Sequence, residues 1–215
     1  MVPRGGILYV IICTLTDQEN TVSLVHGWDA ASCPDPAPKQ ISDNPIDYAA
    51  GYLGGSSAFR TWALAEWQRA SDAYGRVLPI WVPTPGSDNP RQVGLAAADA
   101  LRAAGVPDHA EPWRVLMWDL ETGTEPAPAW LTTAADTLAA AGYGSLIYGS
   151  PGGSDVLSYP RRSGYVVADW NGRPVLYPAP GVVATQYAAN VAVPGGVVDL
   201  DVMEETMLAH LGRVH

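Results

Sequence analysis

Short apolar runs and longer stretches with helical spacing take turns along most of this chain. Runs rich in Val, Ile, Leu and Tyr predict strands over residues 7–14, 21–29, 48–53, 76–82, 114–121, 145–148, 165–169, 181–186 and 196–202. Apolar positions at a 3.6-residue period predict helices over 57–74, 91–104, 129–141 and 204–211. In QVGLAAADALRAAG, Val93, Ala97, Ala100, Leu101 and Ala104 form one stripe, and Gly105 supplies a stop. The third helix closes on AAAGYG with the same grammar. Alternation of this kind builds βαβ units and a parallel sheet. Residues 165–202 lose the helical pattern and read as strand, Pro/Gly loop, strand. No glycine-rich phosphate loop follows an early strand, which disfavours a doubly wound sheet. The expected fold is α/β: a (β/α) TIM-type barrel with some outer helices missing, residues 25–215, preceded by an N-terminal strand extension, residues 1–24.

Strand parity then sorts the side chains of RVLMWDLETG, residues 114–123. Met117, Asp119 and Glu121 share one face, and Leu116, Trp118 and Leu120 share the other. The apolar set suits an outer helical layer, so both acids are expected in the barrel mouth. VSLVHGWDA ends in Asp29 before a Pro-rich loop, GGVVDLDVM carries Asp199 and Asp201 at the end of the last strand, and YVVADW supplies Asp169. One such acid is an ordinary turn residue. Four strands each ending in an acid point to one cleft, because the C-terminal strand ends of a barrel converge. Paired carboxyl groups across a cleft are what glycoside hydrolysis uses, one held protonated and one anionic. Trp28, Trp118, Tyr148, Trp170 and Tyr187 lie beside the acids and are candidates for stacking on sugar rings, with core packing expected for Trp118 from its parity.

Composition narrows the partners. The chain has 215 residues, 47 % of them hydrophobic, enough for one domain with a full core. Acids outnumber bases 22 to 12, and the net charge of -10 argues against nucleic acid and against anionic membrane surfaces. The two cysteines, Cys13 and Cys33, form no metal or redox motif, although one bridge between them is open. The four histidines have no ligand spacing, so no metal and no cofactor are expected. The apolar run at 7–15 follows a single Arg4 and precedes no small-residue cleavage site, so it reads as a strand rather than a signal peptide. That strand is either an ordinary edge strand or plug, or one that adds to a partner's sheet.

The ordered motifs resemble glycoside hydrolase family 25, the lysozymes. HGWDA is similar to the family's first strand, G-x-D, and MWDLETG to its D-x-E strand. SLIYGSP resembles the next strand, which ends in Tyr, and YVVADW resembles W-x-A-x-Y. ATQYAANVAVPGGVVDLDVM resembles the closing W-Q-Y … V-x-G … V-D-x-N segment. The resemblance covers about residues 25–203. It implies Glu121 as general acid with Asp119 assisting the reacting centre, and Asp29 and Asp199 completing the acidic set. Tyr148, Asp169, Gln186 and Tyr187 would line the groove. The implied activity is hydrolysis of the β-1,4 bond between N-acetylmuramic acid and N-acetylglucosamine, with cell-wall glycan as partner. Three features depart from the pattern. The second strand, YAAGYLGG, lacks the family's lysine; Thr185 stands for the Trp of W-Q-Y; and the loop after Asp29 is Cys/Pro-rich. These features look closer to the "glycoside hydrolase-like" relatives of actinobacteria and their phages. Two readings follow: a peptidoglycan hydrolase, or a non-catalytic glycan-binding or structural module of a phage virion, with phage structural proteins as partners. Either places the chain outside the cell or on a virion.

Overall fold

The computed structural model describes residues 22–56, 60–84, 89–121, 126–152 and 155–213. The strand expected at 7–14 and the rest of the N-terminal extension lie outside these residues. Eight strands close into a barrel: β1 (Leu24–Ala30), β4 (Tyr48–Gly55), β5 (Val77–Val82), β6 (Arg114–Asp119), β7 (Tyr143–Gly149), β8 (Gly164–Ala168), β9 (Val182–Val193) and β10 (Gly196–Glu204). A two-stranded ribbon of β2 (Gln40–Ile41) and β3 (Asn44–Pro45) sits in the loop after β1. The sequence pattern gave no sign of that ribbon.

Helices follow three of the strands. They are α1 (Leu64–Tyr74), α2 (Pro90–Ala103) and α3 (Pro128–Ala140). The first begins later than the 57–74 expectation, because residues 60–63 approach it in extended form and Ala63 is its cap. Asn89 caps α2 by accepting from the Arg91 N–H at 2.9 Å, with Pro90 at the first helical position. The helix expected at 204–211 is a 3-10 turn, Glu205–His210. Among the described residues no outer α-helices follow β7, where the pattern predicted their loss.

Seven strands run parallel, and β10 pairs antiparallel with both β9 and β1. The cause is local. Only Pro194 and Gly195 separate β9 from β10, and a two-residue turn reverses the chain, whereas a parallel return needs a crossover. Gly195 takes φ 85°, the conformation that such a turn requires of its second residue. The direction of β10 corrects the expectation for Asp199. It reaches the mouth because it stands near the start of a reversed strand, not because it ends a parallel one.

Apolar side chains fill two layers. Val25, Tyr48, Ala50, Leu78, Ile80, Val115, Met117, Leu146, Val166, Ala184 and Met203 pack inside the barrel. Leu116, Trp118, Leu120, Val167 and Val202 pack outward, against Leu101, Leu131 and Leu138 of the helices. The parity expected for β6 is therefore the parity observed.

Candidate active site

The mouth is built by β1, β4, β6, β7, β9 and β10. Asp119 is the last residue of β6 and faces inward above Met117. Its Oδ1 accepts the Glu121 N–H at 2.9 Å, and its Oδ2 accepts from the Tyr52 hydroxyl at 3.3 Å. The first bond fixes the spacing of the D-x-E pair, in the manner of an aspartate closing its own turn. Across the barrel, Asp29 stands directly opposite Asp199 in the β1–β10 register, and Asp201 stands opposite Gly27.

Gln186 joins the two halves. Its Oε1 lies 2.9 Å from the Tyr148 hydroxyl and 2.6 Å from the Trp170 indole N–H, and its Nε2 donates to Asp29 Oδ2 at 2.7 Å. An indole nitrogen is only a donor, so the amide cannot be flipped. The Tyr148 hydroxyl also lies 2.8 Å from Glu121 Oε2. A phenol has one proton. It therefore serves either Glu121 Oε2 or Gln186 Oε1 at one time, while Gln186 donates to Asp29.

Electrostatics follow from crowding under a low dielectric. Burial raises the carboxyl of Asp29 to about 7, with Asp199, Asp119 and Glu121 adding to the rise and the Gln186 hydrogen bond opposing it. Burial also raises Glu121, helped by Asp119 and Asp199 and opposed by Tyr148. Asp119 is raised by burial against its two hydrogen bonds, and Asp199 by burial against the bond from the Asn190 N–H at 2.6 Å. Asp201 is pushed well above the ordinary aspartate range by burial and by Asp29 and Asp199. Among the described residues, none of these acids forms an ion pair with a base. None of them belongs to a group of three or more side chains arranged to hold a metal ion.

The geometry gathers Asp29, Asp119, Glu121, Tyr148, Gln186 and Asp199 as expected, and three expectations need correction. Trp28 is fully buried in the outer layer, stacked near Trp62 and donating its indole N–H to Tyr74 at 3.0 Å. Its neighbour Asp29 faces in, so Trp28 must face out. Tyr187 falls at a bulge between the pairs Leu200–Ala188 and Asp201–Gln186, and its ring packs into the outer cluster. Asp169 follows the inward Ala168 and spends its carboxylate on Asn171 at 2.7 Å in a surface turn. Trp170 is 59 % exposed and tethered to Gln186, which leaves it as the aromatic face over the mouth. Two contributors were not singled out, Tyr48 and Tyr52, while Asp201, named with Asp199 on the last strand, proves to be buried beneath it. Tyr48, Ala50 and Tyr52 share the inward parity of YAAGYLGG, a signal that strand alternation makes available.

No protein-family profile and no curated protein matches the sequence. Solved structures match it in fold. An uncharacterised B. stearothermophilus protein superposes with a TM-score of 0.65 at 19 % identity, over 87 % of this chain and 99 % of that one. The bacterial lysozyme from Streptomyces coelicolor gives 0.64 at 17 % identity, over 89 % and 98 %. The modular autolysin LytC from Streptococcus pneumoniae, solved with a synthetic peptidoglycan ligand, gives 0.59 at 15 % identity, over 83 % of this chain and 46 % of that one. The chain thus has the barrel fold of lysozyme and autolysin domains.

Proposed function

We propose that this chain is a peptidoglycan-directed glycoside hydrolase, a muramidase that cleaves the β-1,4 bond between N-acetylmuramic acid and N-acetylglucosamine. The observation that carries the reading is the convergence of Glu121, Asp119, Asp29 and Asp199 in one mouth with no neutralising base among the described residues. The barrel shared with a lysozyme and with an autolysin solved on a peptidoglycan ligand supports the same substrate class.

Glu121 is the general acid. Its raised affinity for a proton suits it to protonate the leaving oxygen. Asp119, pinned by the Glu121 N–H and Tyr52, supplies negative charge beside the oxocarbenium-like centre. Trp170 offers a stacking face to a sugar ring. The place of action is the cell wall.

The test is release of soluble muropeptides from purified bacterial walls of several chemotypes by the wild type and Glu121→Gln. The wild type should release fragments with muramic acid at the new reducing end. The variant should bind walls but turn over at least about 10²-fold more slowly, because an amide cannot give up the proton. A wild type inert on every wall, with a variant that melts higher, overturns the reading in favour of a binding module.

A further inference from the structure

We propose that Asp201 is a positioning residue for Asp29: its carboxyl, buried one register step beneath Asp199, keeps a proton and donates it in a hydrogen bond to Asp29, so the pair enters the reaction as one acid and one anion. This rests on the hydrolase reading only for its activity readout.

Four observations support it. Asp201 lies opposite Gly27, so no side chain from β1 stands between it and Asp29. The Tyr48 ring covers Gly27 so closely that a Cβ there would come within 2.2 Å of it, and Asp201 is only 5 % exposed. Asp201 and Asp29 share the inward face of two paired strands, one diagonal step apart and both shielded from water, where two negative charges are costly and a shared proton relieves them. Finally, Gln186 Nε2 already donates to Asp29 Oδ2, which favours the anion on Asp29 and leaves the acid on Asp201.

The surroundings point the same way. The titratable groups facing Asp201 are Asp29 on β1, Tyr48 on β4 and Asp199 on its own strand, while Tyr187 on β9 lies nearby with its ring turned outward. Among the described residues no base pairs with it.

Carboxyl ¹³C NMR titration of the wild type, Asp201→Asn and Asp201→Ala tests the proposal, together with the pH profile of wall hydrolysis. In the wild type the Asp201 carboxyl should keep the shift of a protonated acid through neutral pH. Asp201→Asn retains a neutral donor, so Asp29 should titrate where it does in the wild type and hydrolysis should survive within about threefold. Asp201→Ala removes the donor, so Asp29 should titrate at higher pH and hydrolysis should fall about tenfold. Asp201 titrating like a free aspartate overturns the proposal. So does a downward move of Asp29 in Asp201→Asn, which would mean that the wild-type residue is charged, or an Asp201→Ala that matches Asp201→Asn. If the variants do not fold, the wild-type titration alone decides. If the chain hydrolyses nothing, the NMR outcome still judges this proposal while the hydrolase reading falls.

Discussion

Asp29 and Glu66 are equally shielded from water, each 7 % exposed, and they behave in opposite ways. Asp29 faces other acids and is raised to about 7. Glu66 sits in the outer layer at the start of α1. Burial pushes it up, yet the Arg60 guanidinium at 2.8 Å and the N–H groups of Ala63 and Cys33 hold it below the usual glutamate range. What separates the two is the supply of donors together with depth, because Asp29 lies deeper in the barrel and burial is the largest cause of its rise. Glu66 ties the loop after β1 to the helix entry, so its charge serves the fold. Among the described residues the mouth acids have few donors and no base, so the fold gains nothing from their charge. On the proposed hydrolase reading, acids kept at such a cost serve chemistry rather than the fold.

The largest effect that would test this contrast is on activity. Asp119→Asn keeps the shape of the D-x-E turn but removes charge beside the reacting centre. Wall hydrolysis should fall by at least about 10²-fold, with the melting temperature unchanged or higher. A variant within tenfold of the wild type would break the claim that the mouth acids are functional.

The next effect is on stability against pH. A carboxyl whose folded pKa is raised binds its proton more tightly in the folded state, so it contributes stability that is full below the unfolded pKa and lost as pH rises through the folded one. For Asp29 that window runs from the ordinary 3.8 to about 7. Acidifying from pH 8 to pH 5 should therefore stabilise the protein by about 2–3 kcal/mol, at 1.36 kcal/mol per unit. Calorimetry checks this, and Asp29→Asn should flatten the profile. A melting temperature that falls on acidification within that range would reverse the assignment of the mouth.

Much of this was readable in the chain, for a physical reason. Alternation along a strand is strict, so Asp119 and Glu121 could be assigned inward and Trp118 outward before any fold was known. The same rule, applied to adjacent pairs, excludes Trp28 once Asp29 faces in. Trp28 and Trp118 obey one constraint, since each precedes an inward acid on its strand and so faces out. Tyr187 escaped the rule because a bulge shifts the β9 register, and a bulge leaves little trace in sequence. The reversal of β10 was written in Val193-Pro194-Gly195-Gly196, a two-residue turn between apolar runs. Its consequence for Asp199 needed the barrel's order. The links made by Gln186 and Tyr148 depend on which side chains meet across the lumen, and no local pattern encodes that.

The smallest expected effect sharpens the other side of the contrast. Glu66→Gln makes the same acid-to-amide change as Asp119→Asn, at a residue whose charge is satisfied. The amide has one acceptor oxygen where the carboxylate has two. Glu66 Oε1 serves the Cys33 N–H at 3.1 Å and Oε2 serves the Ala63 N–H at 2.9 Å, while both also take the Arg60 guanidinium. One backbone donor is left facing an NH₂ group, and an unsatisfied shielded donor costs about 1–2 kcal/mol. The Arg60 end is exposed, so its loss should add little. The melting temperature should drop by roughly 2–8 °C, with hydrolysis per folded molecule unchanged. Thermal denaturation and the wall assay on one preparation measure both. Loss of activity without loss of stability would mean that Glu66 belongs with the mouth acids after all, and that donor supply does not separate the two classes.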